Sequence, residues 1–236
     1  MPDGAPVAIA CVRRHDMVSV APAFAEEVAT QCATPEDHGA IAHWMRAAWP
    51  MVVRMQPPGA HAAGRLAVGA PLPPSMGRRR IALHIDDAWV VRVAPPPRLA
   101  DVDTSLAFGW RSAVRDLASR AEDAGIVLRV FGSVAWQALT GISWLTPESD
   151  LDILWAPADL RELDTGAALL ASWAAASGVP LDGELVFGER AVSVREWREA
   201  RAGVRLLVKT LHGVALCTRA ELIAALAPAG GRGCAR

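Results

Sequence analysis

Three consecutive prolines, Pro95, Pro96 and Pro97, constrain the folding of this chain more than any other feature. Proline lacks a backbone N–H and fixes φ, so a run of three excludes a helix interior or a central strand and imposes a stiff, extended segment. The sequence is patterned differently on either side. Two units are therefore expected, residues 1–97 and 98–236. Apolar residues make up 52% of the 236, enough for the chain to build its cores unaided.

The first half reads as a small α+β unit. In TPEDHGAIAHWMRAAWP, Thr34 is placed to cap a helix, Pro35 suits its first position, Glu36 and Asp37 favour its positive end, and Pro50 stops it. MVVRM, residues 51–55, reads as a strand. RRIALHIDDAWVVRV reads as a hairpin, with alternation at Ile81, Leu83 and Ile85, a turn near Asp86 and Asp87, and a return strand to Val93.

In the second half, Leu106, Trp110, Val114, Leu117 and Ala118 fall at helical spacing, and Gly125 is placed to end that helix. IVLRVF then reads as a strand, VAWQALTG as a short helix closed by Gly141, and DLDILW as a second strand stopped by Pro157. A helix through Leu169 to Ala176, strands in LDGELVF and AVSV, a helix around Glu196 to Arg201, a strand VRLLV and a helix from Arg219 to Leu226 follow. The tail GGRGCAR reads as disordered.

The net charge of −1 gives no global electrostatic reason to expect nucleic acid or a membrane surface as partner, so any anion site has to be local. Cys11, Cys32, Cys217 and Cys234 are scattered, without the spacing of a zinc site, which fits a reducing cytoplasm. No run approaches the roughly 18 to 20 apolar residues that span a bilayer, and the start lacks a basic segment followed by an apolar one. A soluble, cytoplasmic protein is expected.

Chemistry concentrates in VFGSVAWQALTGISWLTPESDLDIL, residues 130–154. Side chains alternate along a strand, so Asp150 and Asp152 share a face with Cα atoms roughly 6.6 to 7 Å apart. Two carboxylates there make a platform for a hard divalent ion such as Mg²⁺ (or Mn²⁺), which keeps its other positions for water and phosphate. Gly132 and Ser133 sit where a strand turns into a helix, so backbone N–H groups, a hydroxyl and the helix N-terminus can meet that phosphate. Asp182 and Glu184 form a second same-face pair at the start of a later strand; Asp182 is the preferred third carboxylate.

A DxD pair alone reads more readily as a turn feature, and a Gly-Ser pair is weaker still. The order strand, Gly-Ser, helix, DLD strand, later carboxylate strand is more specific. It resembles the nucleotidyltransferase superfamily, in which such a turn and such a strand hold metal and triphosphate. FGSVAWQALTGISWLTPESDLDILW, with RHDMV, VGAPLPPSMGRRRIAL and LDGELVF, resembles more narrowly the phosphoribosyl-dephospho-CoA transferases of bacterial malonate decarboxylase, also called its holo-acyl-carrier-protein synthases. The motifs cover most of the chain.

That resemblance implies an α+β protein: a small N-terminal unit, then a nucleotidyltransferase-like unit with a mixed sheet flanked by helices. It implies transfer of the phosphoribosyl-dephospho-CoA group from 2′-(5″-triphosphoribosyl)-3′-dephospho-CoA to a serine of the apo acyl-carrier subunit, with release of diphosphate. Gly132 and Ser133 match the phosphate-holding turn, Asp150 and Asp152 the metal ligands, and Asp182 less securely the third ligand and acceptor of the serine proton. Readings that share only the turn and the DxD are generic AMP transfer from ATP and a catalytically silent nucleotide-binding scaffold.

For the phosphates, Arg78 and Arg80 are the basic candidates, followed by Lys209, the only lysine in the chain. His15 and Asp16 read as a turn pair before they read as recognition residues, and His212 as structural. Trp136 reads as core before it reads as an adenine platform; Trp144 is a second candidate for that stacking. Arg111, Arg115 and Arg120 offer a basic face to an acidic carrier.

Overall fold

A computed structural model of the chain describes residues 11–59, 64–102, 106, 108–201 and 203–226. The C-terminal GGRGCAR segment and Cys234 lie outside these. Two compact units emerge: one holds the chain up to Pro96 together with Leu211–Gly213, the other Pro97–Thr210 and the chain from Val214 on. No helix among the described residues is long and apolar enough to cross a membrane.

The first unit contains β1 (Met17–Val20), α1 (Ala25–Ala29), α2 (Pro35–Arg46), β2 (Met51–Val53), β3 (Arg65–Pro71), β4 (Arg80–Asp86) and β5 (Val90–Ala94). α2 begins as its sequence predicts: Thr34 Oγ1 accepts from the Asp37 N–H at 3.1 Å, with Pro35 in the first turn. Its buried residues Ile41, Trp44 and Met45 join Val18, Met51, Leu66, Leu83 and Ile85 in the core, at about 1.5–3 kcal/mol for each large side chain.

The five strands form an antiparallel sheet in the order β4-β3-β2-β1-β5, which corrects the expected hairpin. β4 pairs along its whole length with β3, from Arg65↔Asp86 to Pro71↔Arg80, and β5 pairs with β1 at the opposite edge. The physical cause is a 3-10 turn over Asp87–Trp89, started by Asp86 accepting from the Ala88 N–H at 2.9 Å. It ends with the Trp89 carbonyl accepting from the Ala21 N–H at 2.9 Å and the Trp89 ring stacked on Phe24 at 4.8 Å. Four Cα steps span at most about 15 Å, whereas the edges of a flat five-stranded sheet lie about 19 Å apart, so this sheet curls. Buried Gln56 lengthens the β2–β3 ladder with its side chain, donating to the Ala67 carbonyl at 2.9 Å and accepting from the Ala67 N–H at 2.8 Å.

The second unit contains α3 (Phe108–Asp123), β6 (Arg129–Val130), α4 (Gly132–Thr140), β7 (Leu151–Trp155), α5 (Leu160–Ser177), β8 (Leu181–Phe187), β9 (Arg190–Ser193), α6 (Val194–Glu199), β10 (Arg205–Lys209), β11 (Val214–Thr218) and α7 (Arg219–Ala224). Its sheet runs β11-β10-β9-β8-β7-β6 and is mixed, β7 and β8 being parallel and the other neighbours antiparallel. The architecture is α+β. The expected strand IVLRVF contributes only Arg129 and Val130 to the ladder, and on its other side the Leu128 carbonyl accepts from the Leu99 N–H at 2.9 Å and the Val130 N–H donates to the Pro97 carbonyl at 2.9 Å.

α5 is longer than its sequence reading, and Leu163, Gly166, Leu170 and Trp173 form its buried stripe at helical spacing. Gly166 lets the helix lie directly on Trp155: an added Cβ would come within 2.9 Å of the ring. This packing fixes β7 from one side. Leu151, Ile153 and Trp155 are buried while Asp152 and Leu154 are half-buried, so the carboxylate face of β7 is the other one.

Candidate active site

β6 and β7 bring the two halves of the conspicuous motif together. Arg129 pairs with Leu154 and Val130 with Ile153, and the Phe131 N–H donates to the Asp152 carbonyl at 3.1 Å. The chain then turns into α4 at Gly132, whose φ of +63° is one that favours glycine. A Cβ at this position would come within 2.9 Å of the Asp152 carboxyl carbon. Turn and carboxylate are therefore packed against each other.

The start of α4 differs from those of α2, α5, α6 and α7. Those four are capped by Thr34, Asp159, Ser193 and Thr218, whereas Phe131 supplies no side-chain cap and the first turn of α4 holds no acidic residue. Such an end, with Ser133 in its first turn, favours an anion.

Asp150 lies one residue before β7 and Asp152 within it, on the same face. The parallel register then sets Asp182 of β8 beside Asp152, and Glu184 beside Leu154. Neighbouring strands lie about 4.8 Å apart, so Asp152 and Asp182 are lateral neighbours. Gly183 permits this: its φ is +142°, and an added Cβ would lie 2.7 Å from the Ile153 nitrogen. Asp182 Oδ1 accepts from the Gly183 N–H at 2.8 Å, and its Oδ2 lies 3.7 Å from the Arg195 guanidinium.

Glu184 occupies a different setting. Its carboxylate is buried and accepts from Lys209 Nζ at 2.9 Å. The two sequence candidates Glu184 and Lys209 thus meet each other. Lys209→Met removes this cation from beside a buried carboxylate, and a loss of about 2 kcal/mol in denaturant-unfolding free energy is expected. Glu184→Gln, which keeps the shape, should cost less.

The segment between turn and carboxylates is a built loop. Gln137 Oε1 accepts from the N–H groups of Trp144 at 3.0 Å and Leu145 at 3.2 Å, and Thr140 Oγ1 accepts from Trp144 Nε1 at 2.8 Å. Buried Ser149 accepts from the Thr146 N–H at 2.9 Å just before Asp150. Trp136 and Trp144 are buried with ring centroids 6.0 Å apart, so both belong to this support and neither is an exposed platform for adenine.

The remaining candidates fall on other elements. Arg78, with φ of +51°, and Arg80, at the start of β4, are exposed residues of the first unit, and Arg79 between them pairs with Glu36 at 2.9 Å and Asp37 at 3.1 Å. Asp16 Oδ2 accepts from the Arg13 N–H at 2.8 Å, and His15 has φ of +70°, as in a tight turn. His212 falls in Leu211–Gly213, within the first unit. On α3, Arg111 donates to the Leu106 carbonyl at 3.0 Å, Arg120 pairs with Asp116 at 3.0 Å, and Arg115 lines a small cavity with Glu122.

Among the described residues, no group of three His, Cys, Asp or Glu side chains is arranged to hold a metal ion. Asp150 and Asp152 on one face, with Asp182 alongside, nevertheless fit a hard divalent cation of the kind bound by one or two carboxylates and completed by water and substrate phosphate.

Comparison with known proteins agrees in both units. Residues 13–96 match the phosphoribosyl-dephospho-CoA transferase MdcG N-terminal domain, and residues 98–220 match the corresponding C-terminal domain. A phosphoribosyl-dephospho-CoA transferase of Bradyrhizobium diazoefficiens is 34% identical over 211 residues, covering 89% of this chain and 92% of that protein. One of Xanthomonas euvesicatoria is 35% identical over 201 residues, covering 84% and 92%. One of Pseudomonas syringae is 34% identical over 173 residues, covering 71% and 76%. No solved structure matches the chain. With both domains matched and relatives above 30% identity along most of its length, the chain belongs to the phosphoribosyl-dephospho-CoA transferase family.

Proposed function

We propose that this chain is a nucleotidyltransferase-type enzyme that moves the phosphoribosyl-dephospho-CoA group from 2′-(5″-triphosphoribosyl)-3′-dephospho-CoA to a serine of the apo acyl-carrier subunit of malonate decarboxylase. The observation that carries this reading is the Gly132 turn packed on Asp152, with Asp182 level on the next strand, in a chain of this family.

The serine oxygen attacks the phosphorus nearest the ribose; the new O–P bond forms as the bond to the next phosphate breaks and diphosphate leaves. Gly132, Ser133 and the start of α4 hold the phosphates, and Asp150 and Asp152 hold the cation. Asp182 completes the carboxylate row and takes the serine proton. Bound Mg²⁺ or Mn²⁺ supplies positive charge against the triphosphate. The residues contribute mainly position and electrostatics, the dominant requirements of phosphoryl-type transfer.

Diphosphate release, followed by a coupled pyrophosphatase assay, should match carrier modification one to one. Release without modification, or modification without release, contradicts the scheme.

A further inference from the structure

Beyond Asp182 the next neighbour of β8 is strand at one end and helix at the other. β8 and β9 are antiparallel and their ladder ends with Glu184 beside Ser193, where α6 begins at Val194 and carries Arg195 in its first turn. Its guanidinium approaches Asp182 Oδ2 at 3.7 Å, too long for a hydrogen bond, and the side chain is 71% exposed. Arg198 follows three residues later on α6, hence on the same helix face, and is also exposed.

Both arginines line a cavity of about 260 Å³ with Leu181, Val194 and Glu199. That is below the roughly 300–1,000 Å³ of sites for drug-sized ligands, so it suits a small ion. Its charged lining is two guanidiniums and one carboxylate. Guanidinium forks match phosphate oxygens in pairs.

We propose that Arg195 and Arg198 form a diphosphate subsite at the end of the carboxylate row. This rests on the functional reading above and extends it: Asp150, Asp152 and Asp182 serve the reacting phosphate, while the two arginines hold the outer pair that departs. The bridging diphosphate of a dephospho-CoA arm offers the same chemistry, so the test carries both probes.

Titration calorimetry of the full chain with inorganic diphosphate and, separately, with dephospho-CoA should be run with and without Mg²⁺ on wild type, Arg195→Ala, Arg198→Ala and the double variant. Affinity for inorganic diphosphate should fall about tenfold in each single variant and further in the double, with unchanged melting temperature, and Arg195→Lys should recover part of it. A loss confined to dephospho-CoA keeps the arginine subsite and overturns its assignment to the departing pair. Wild-type affinity for both probes in the folded double variant overturns the subsite, while carrier modification by the wild type would still uphold the functional reading. Diphosphate binding that depends on the arginines in a chain that modifies no carrier does the reverse.

Discussion

Gly132→Ala is expected to slow transfer about 100-fold or more in a protein that still folds, since displacement of a reacting group by about 1 Å can cost that much. The added Cβ would lie within 2.9 Å of the Asp152 carboxyl carbon, so the carboxylate has to move. Alanine also meets a penalty at φ of +63°, about 1 kcal/mol. The thermal midpoint should fall by only a few degrees, because Gly132 is half-buried on the site side of the sheet. Single-turnover transfer beside a melting curve checks both. Transfer at the wild-type rate in the folded variant would mean that the Gly132–Asp152 contact does not shape the site.

Asp152→Asn should have the larger effect, roughly a thousandfold or more, because it removes a full charge from the group assigned to the cation while keeping the shape. Asp150→Asn should act in the same direction. Neither should unfold the chain, as both side chains are half-buried outside the stripe that packs under α5. Titrating Mg²⁺ and Mn²⁺ against transfer rate separates loss of cation affinity from loss of fold. Asp182→Asn belongs with these two, whereas Glu184→Gln, whose residue is engaged with Lys209, should show mainly a stability change.

The turn and the carboxylate strand were legible as structural elements because their signals are local. A glycine that turns with positive φ stands between a strand and a helix, and two carboxylates alternate at the mouth of an apolar run, so the places of Gly132 and Asp152 in the fold could be read from the order of these elements, though neither pair alone singled them out. Pairing between distant segments was not legible. RLAVGAP hides β3, because residues 66–71 are buried at consecutive positions and give no alternation, and without β3 the strand at Arg80–Asp86 was matched to the wrong neighbour. β11 was missed for a related reason: Val214, Ala215 and Leu216 are exposed in succession. The two carboxylates of LDGEL share a face, so alternation could not tell them apart; in the fold their neighbours differ, Asp152 for Asp182 and Lys209 for Glu184. Arg195 carried no sequence signal, since its approach to Asp182 comes from where α6 starts at the end of the β8–β9 ladder.

The identity of the transferred group distinguishes this activity from generic AMP transfer. Incubation of the full chain with 2′-(5″-triphosphoribosyl)-3′-dephospho-CoA, Mg²⁺ and the apo acyl-carrier subunit, read by intact-protein mass spectrometry, tests it most directly. A carrier heavier by one phosphoribosyl-dephospho-CoA group, on a serine and absent with Asp152→Asn, is the result expected. An unmodified carrier, or one that gains only AMP when ATP is supplied, would contradict it.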